Sequence, residues 1–179
     1  MSNTSLKETP SQTAGPYVHI GLMPQVAGLA VPPELGRLDR ASQGSVRLQG
    51  HVWDGEGAPV KDVVIEVWQH DPSGPGQWQR VASDFDTGVC TFEAVKTGVT
   101  VGSAPHLNLW IVARGINIGL NTRLYFADED AANATDAVMQ AVDPARRATL
   151  LAVPMTDEPV TYEFEIRLQG ENETVFFDV

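Results

Sequence analysis

Thr161-Tyr162-Glu163-Phe164-Glu165-Ile166-Arg167-Leu168 alternates apolar and charged side chains along its whole length. A β-strand turns successive side chains to opposite faces, so this period of two places Tyr162, Phe164, Ile166 and Leu168 against a core and Glu163, Glu165 and Arg167 toward water. Gly170-Glu171-Asn172-Glu173 follows as a turn, and residues 174–177 read as a last apolar strand. The same alternation marks Ser45 to Trp53, where Val46, Leu48, Gly50 and Val52 share a face. Asp54-Gly55-Glu56-Gly57 supplies turn residues that tolerate positive φ, and residues 63–68, rich in β-branched side chains, make the next strand. These two strands are expected to pair antiparallel. Residues 107–113 and 120–126 add two more strands and residues 89–92 a short one, while the rest of 69–104 reads as loops, with Gly74-Pro75-Gly76, Gly98 and Gly102. One short helix is expected near 135–142, capping a sheet.

Many short strands separated by turns predict an all-β fold, a two-sheet β-sandwich with an extended N-terminal arm and one or two short helices. A chain of 179 residues suits a single domain. Residues 1–44 form the arm and lead-in: 1–16 are rich in Ser, Thr, Pro and Gly, with turn clusters at Pro32-Pro33 and Ala41-Ser42-Gln43-Gly44. Residues 45–179 form the sandwich.

With 42% hydrophobic and 20% charged residues, the chain has enough apolar material to offset the entropy of folding. Its 12 Lys+Arg against 23 Asp+Glu leave a net charge of −11, which argues against nucleic acid or an anionic membrane surface as a partner. Cys90 is the only cysteine, so no internal disulfide framework is possible, and a cytoplasmic location is expected. No basic-then-apolar leader and no apolar run of membrane-spanning length is present in the sequence.

Several segments carry a family resemblance. Gly50-His51-Val52-Trp53-Asp54, Ala58-Pro59-Val60 and Ile65-Glu66-Val67-Trp68-Gln69 resemble the opening strands of intradiol ring-cleavage dioxygenases. Thr9-Pro10-Ser11-Gln12-Thr13-Ala14-Gly15-Pro16-Tyr17 with Gly21-Leu22, Ala104-Pro105-His106, Ala113-Arg114-Gly115-Ile116-Asn117 through Thr122-Arg123-Leu124-Tyr125-Phe126, and Leu168-Gln169-Gly170-Glu171 to Phe176-Phe177 are similar, in family order, to the α chains of the protocatechuate-cleaving members. The stretch 69–85 is shorter than the family pattern.

Catalytic chains of this family hold Fe(III) with two tyrosinates and two histidines, the histidines in a His-x-His pair on one strand. Phenolates are hard anionic donors that favour the ferric state. By this resemblance the matching segment is His106-Leu107-Asn108, with Asn108 in place of the second histidine. The chain's three tyrosines are Tyr17, Tyr125 and Tyr162, and none lies between Trp68 and His106, where the ligating pair belongs. The resemblance therefore implies a chain with no catalytic and no metal-binding residues of its own. The holoenzyme's Fe(III) would be bound by a partner β chain, in a hetero-oligomer of αβ units.

What the α chain contributes, on the same resemblance, is part of the pocket wall for a small aromatic substrate: Thr13, Gly15, Pro16, Tyr17 and Arg114. Gly15 has no Cβ and Pro16 fixes φ, so backbone can approach a flat ring. Tyr17 adds a rigid aromatic wall. Arg114 offers a permanent positive charge, and a charge-assisted contact to an anionic group contributes about 1.5–3 kcal/mol where water is partly excluded. Arg123 and Arg167 read as surface side chains, and His19, His51 and His70 as scattered histidines without ligand spacing. The implied reaction is cleavage of protocatechuate by O2 between its two hydroxylated carbons to 3-carboxy-cis,cis-muconate, a step in aromatic catabolism by the β-ketoadipate route. The competing readings are a stand-alone β-sandwich binding module and a homomeric intradiol enzyme acting on another catechol.

Overall fold

The computed structural model describes residues 13–15, 17–30, 45–70, 76–96, 98, 102–155 and 160–178. The turn clusters expected at Pro32-Pro33 and Ala41 to Gly44 lie outside them. Among the described residues eight strands carry the fold: β1 (Ser45–Trp53), β2 (Val64–Gln69), β3 (Gln77–Ala82), β4 (Val89–Val95), β5 (His106–Val112), β6 (Leu120–Phe126), β7 (Leu151–Pro154) and β8 (Thr161–Arg167). Their order across the sheet is β3-β2-β5-β6-β7-β8-β1-β4. The short strand β7 joins two layers, β3-β2-β5-β6 and β8-β1-β4, pairing parallel with β6 and antiparallel with β8. The expected two-layer β architecture is the one observed.

The alternation read from the sequence decides which side chains fill the interior. β1 turns Val46, Leu48 and Val52 inward, β8 Tyr162, Phe164 and Ile166, β5 Leu107, Leu109 and Ile111, and β4 Cys90, Phe92 and Ala94, all within one apolar cluster. Each Val, Leu, Ile or Phe fully buried there stabilises the fold by about 1.5–3 kcal/mol. Gln69, at the end of β2, clamps the layers at one edge: its side-chain amide donates to the Val95 carbonyl, and its Oε1 accepts the Val95 N–H at 3.1 Å.

The strands at 45–53, 120–126 and 161–167 lie where the sequence puts them, but the pairing of the first two strands differs. β1 pairs antiparallel with β4 and parallel with β8, whereas β2 pairs with β3 and β5 in the opposite layer. The connecting turn does fold back locally, with a single bridge between Trp53 and Pro59 and the Val60 N–H donating to the Val52 carbonyl at 2.8 Å. Proline has no N–H to extend that ladder, and the chain crosses to the other layer. Residues 77–82, read as loop, form edge strand β3. The final segment 174–177 is not a strand; it is held by the bridge from Asn121 to Phe177 and by the Thr174 N–H donating to the Arg167 carbonyl at 2.9 Å.

The helix expected at 135–142 is α3 (Ala137–Ala141), preceded by α2 (Asp130–Asn133) and followed by a 3-10 segment, Pro144–Leu150. These elements cover a second apolar cluster around Tyr125, Met139 and Leu150. Residues 17–22, at the junction with the expected arm, form a short helix, α1 (Tyr17–Leu22). Among the described residues no helix is long and apolar enough to cross a membrane.

Candidate functional site

A cleft of about 760 Å³ opens at one end of the sandwich, where the β1–β2 connection meets the β5–β6 connection. Lys61 and Asp62 come from the first connection, Arg114, Gly115 and Ile118 from the second, with Phe85 and Leu168 completing the wall. Gly115 makes the reversal after β5 possible: its φ of 88° is in the region that side-chain-bearing residues avoid. The Ile116 N–H closes the turn onto the Ala113 carbonyl at 3.1 Å. Arg114 stands at the lip, 73% exposed, with Nε at 2.9 Å and Nη2 at 2.8 Å from the same oxygen, Asp62 Oδ2.

Of the residues singled out from the sequence, Arg114 lines this cleft, and Thr13 is hydrogen-bonded to Gly115 in its wall. Its Oγ1 accepts the Gly115 N–H at 2.5 Å, so the arm is tied to the turn that carries Arg114. The Gly15 carbonyl accepts the Val18 N–H at 3.0 Å and starts α1. Gly15 and Tyr17 are not part of the cleft lining, and Tyr17, the first residue of α1, is 80% exposed. Pro16 lies outside the described residues. Helix α1 is seated by His19, which is buried and packs edge-on against Phe85 with ring centroids 5.2 Å apart. The structure thus joins Thr13 to the Arg114 turn, and leaves Gly15 and Tyr17 exposed and outside the cleft lining.

The positions compared with iron ligands lie elsewhere: His106 and Asn108 on β5, with Tyr125 on β6 and Tyr162 on β8. His106 and Asn108 share the half-buried face of β5. His106 Nδ1 lies 2.8 Å from the Ala104 carbonyl oxygen, and burial holds its pKa below the ordinary histidine value. The Tyr125 hydroxyl donates to Asp136 Oδ1 at 3.0 Å and accepts from Arg123 Nη1 at 3.2 Å. Burial pushes its pKa up to about 12. The Tyr162 hydroxyl donates to Asp128 at 2.9 Å, and burial raises its pKa as well. Both phenols are therefore committed as proton donors to carboxylates, the reverse of what a ferric ion demands of a tyrosinate. Among the described residues no three His, Cys, Asp or Glu side chains are grouped to hold a metal ion. The donor set on this chain does not fit a two-tyrosinate, two-histidine iron site.

No family model matches the chain. Over 196 aligned positions, spanning 97% of this chain and 97% of the relative, it is 45% identical to the protocatechuate 3,4-dioxygenase alpha chain of Pseudomonas putida. The chain belongs to the family of protocatechuate 3,4-dioxygenase α chains. The alpha chain of the same name from Burkholderia cepacia is 41% identical over 98% of this chain and 100% of that relative. Among solved structures, the dioxygenase domain of a carbohydrate-binding fusion from Streptomyces sp. SirexAA-E superposes with a TM-score of 0.55 at 22% identity, over 78% of this chain and 86% of that one. The 3-chlorocatechol 1,2-dioxygenase of Rhodococcus opacus 1CP gives a TM-score of 0.56 at 22% identity, over 74% and 62%. These structures share the fold. An α chain of this family is one subunit of a multi-chain intradiol dioxygenase, an oxidoreductase.

Asp62, Phe85 and Ile118 belong to the site and were not singled out from the sequence. Asp62 is one of 23 acidic residues and nothing local distinguishes it; only the fold brings it across to Arg114.

Proposed function

We propose that this chain is the iron-free α subunit of a protocatechuate 3,4-dioxygenase, completing a substrate pocket whose ferric ion is held by a partner β chain. The observation that carries the reading is the Thr13–Gly115 hydrogen bond, which joins the arm and the Arg114 turn into one surface at the open end of the sandwich. The cleft wall exposes Phe85 (50%) and Ile118 (76%), and Tyr17 at the start of α1 is 80% exposed. A partner seated on that rim would exclude water from Arg114. The contact between Arg114 and a substrate carboxylate, weak while the guanidinium is solvated, would then gain strength.

In the assembled enzyme the partner's ferric ion supplies activation of the catecholate toward O2, with cleavage between the two hydroxylated carbons to 3-carboxy-cis,cis-muconate. This chain's share is to orient and enclose. Arg114 meets the carboxylate of protocatechuate, the Gly15-Pro16 backbone and Tyr17 wall the ring, and Thr13 holds the arm against the Arg114 turn. The unsuitable donor set around His106, Asn108, Tyr125 and Tyr162 favours an iron-bearing partner over a homomeric enzyme. Membership in the α-chain family favours a subunit over a stand-alone binding module. A cytoplasmic location accords with a single, buried cysteine.

Co-expression with an iron-bearing β chain tests the reading. Assembly and ring cleavage are expected from the pair and neither chain alone is expected to turn over substrate. An isolated α chain carrying one ferric ion, with a tyrosinate charge-transfer band, would overturn it.

A further inference from the structure

A side chain as long and exposed as Arg114 samples many rotamers unless a neighbour selects one. Asp62 is that neighbour. Its side chain is only 25% exposed, and the backbone that carries it is anchored in the core: the next residue, Val63, is fully buried, with its N–H donating to Ser83 Oγ at 3.2 Å. From this fixed point one carboxylate oxygen takes both Nε and Nη2 of Arg114. That arrangement sets the plane of the guanidinium and uses its Nε side. The opposite end of the fork, Nη1 with the second Nη2 hydrogen, is the end that can meet another carboxylate with two parallel hydrogen bonds. No hydrogen bond or ion pair engages Nη1 among the described residues.

We infer that Asp62 is a positioning residue. It holds the Arg114 guanidinium with its Nη1–Nη2 end presented to the carboxylate of an aromatic substrate, and so sets the preference for carboxylated over uncarboxylated catechols. The inference rests on the reading of Arg114 given above. Two effects of Asp62 oppose each other. Its negative charge repels an incoming carboxylate, but the two anions sit on opposite sides of the guanidinium, with its positive charge between them. Pre-ordering a rotamer-rich side chain improves binding by about two- to tenfold. Pre-ordering prevails, so removing Asp62 weakens recognition of the carboxylate.

The test uses the co-purified αβ enzyme with Asp62→Ala, Asp62→Asn, Arg114→Ala and the Asp62→Ala/Arg114→Ala pair, assayed with protocatechuate and with catechol as substrate or competitive inhibitor. Asp62→Ala is expected to raise KM for protocatechuate about two- to tenfold with kcat retained, to leave catechol unaffected, and to add nothing in the Arg114→Ala background. Asp62→Asn, nearly isosteric and still able to accept from the guanidinium, is expected to fall between wild type and Asp62→Ala. If Arg114→Ala raises KM for protocatechuate but Asp62→Ala leaves it unchanged or lowers it, or shifts both compounds equally, the positioning role is wrong and the reading of Arg114 survives. If Arg114→Ala itself changes nothing, that reading fails and the role of Asp62 fails with it.

Discussion

Gly50 on β1 lies directly beside Phe164 on β8, and a methyl group built on Gly50 would overlap both the Phe164 carbonyl oxygen and its ring. The obstacle is backbone on one side and a buried ring on the other, so neither can move aside without spreading the parallel pair. Gly50→Ala is expected to destabilise the chain by about 1–3 kcal/mol, the usual range for overpacking, measured as a lower urea midpoint with unchanged slope. A midpoint equal to wild type would mean that the two strands are less closely apposed.

Gly119 and Trp110 present a milder case. A Cβ on Gly119 would run into the indole of Trp110, a side chain that lies half-buried on β5 and can rotate. Gly119→Ala is therefore expected to shift tryptophan fluorescence with a stability loss under about 1.5 kcal/mol, since the ring can yield where backbone cannot.

Asp136 is buried and caps α3: Oδ1 accepts from the N–H groups of Val138 and Met139 and from the Tyr125 hydroxyl, and Oδ2 from the Ala104 N–H. Burial alone would raise its pKa, but these donors outweigh it and hold the carboxyl below its ordinary 3.8. A depressed carboxylate pKa gives stability that is present above the unfolded value and lost as pH falls through the folded one. His106, with its pKa below 6.5 in the folded chain, resists protonation that the unfolded chain accepts, so it too costs stability as pH drops below 6.5. Stability should fall in two stages on acidification. Asp136→Ala, which orphans several buried donors, should cost at least about 2 kcal/mol at neutral pH and flatten the lower stage in urea titrations.

Arg114→Ala in the assembled enzyme is expected to lower kcat/KM for protocatechuate by about 10- to 100-fold, the equivalent of one charge-assisted contact out of water. Iron content should not change, because no proposed ligand is touched. Steady-state kinetics beside elemental analysis on the same preparation checks both halves.

Where the sequence pattern is strong, it reports the fold well. Ser45–Trp53 and Thr161–Arg167 alternate because each has one face in the core and one in water, and both appear as strands. Gln77–Ala82 reads as loop because only Val81 of its six residues is buried; an edge strand with little core face leaves no alternation to read. The partners of β1 were equally hidden, since pairing with β4 and β8 spans long stretches of chain that a local turn signal does not report. At the candidate site, Thr13 and Arg114 are expectations of the family resemblance, while nothing local marks Asp62, which folding sets 2.8 Å from Arg114.

The place of β8 has a consequence for how the molecule comes into being. Among the described residues, β1 and β4 join the backbone ladder of the remaining strands through β8, and β8 follows them by more than sixty residues of sequence. Val46, Leu48 and Phe92 can pack against β2, β5 and β6, which precede β8 in the chain, but the free edge of β1 has no backbone partner until that late strand is made. Loop-closure entropy makes such long-range joining slow, and an unpaired strand edge is open to wrong partners in the meantime. Productive biogenesis of this subunit thus turns on the arrival of seven residues, Thr161–Arg167.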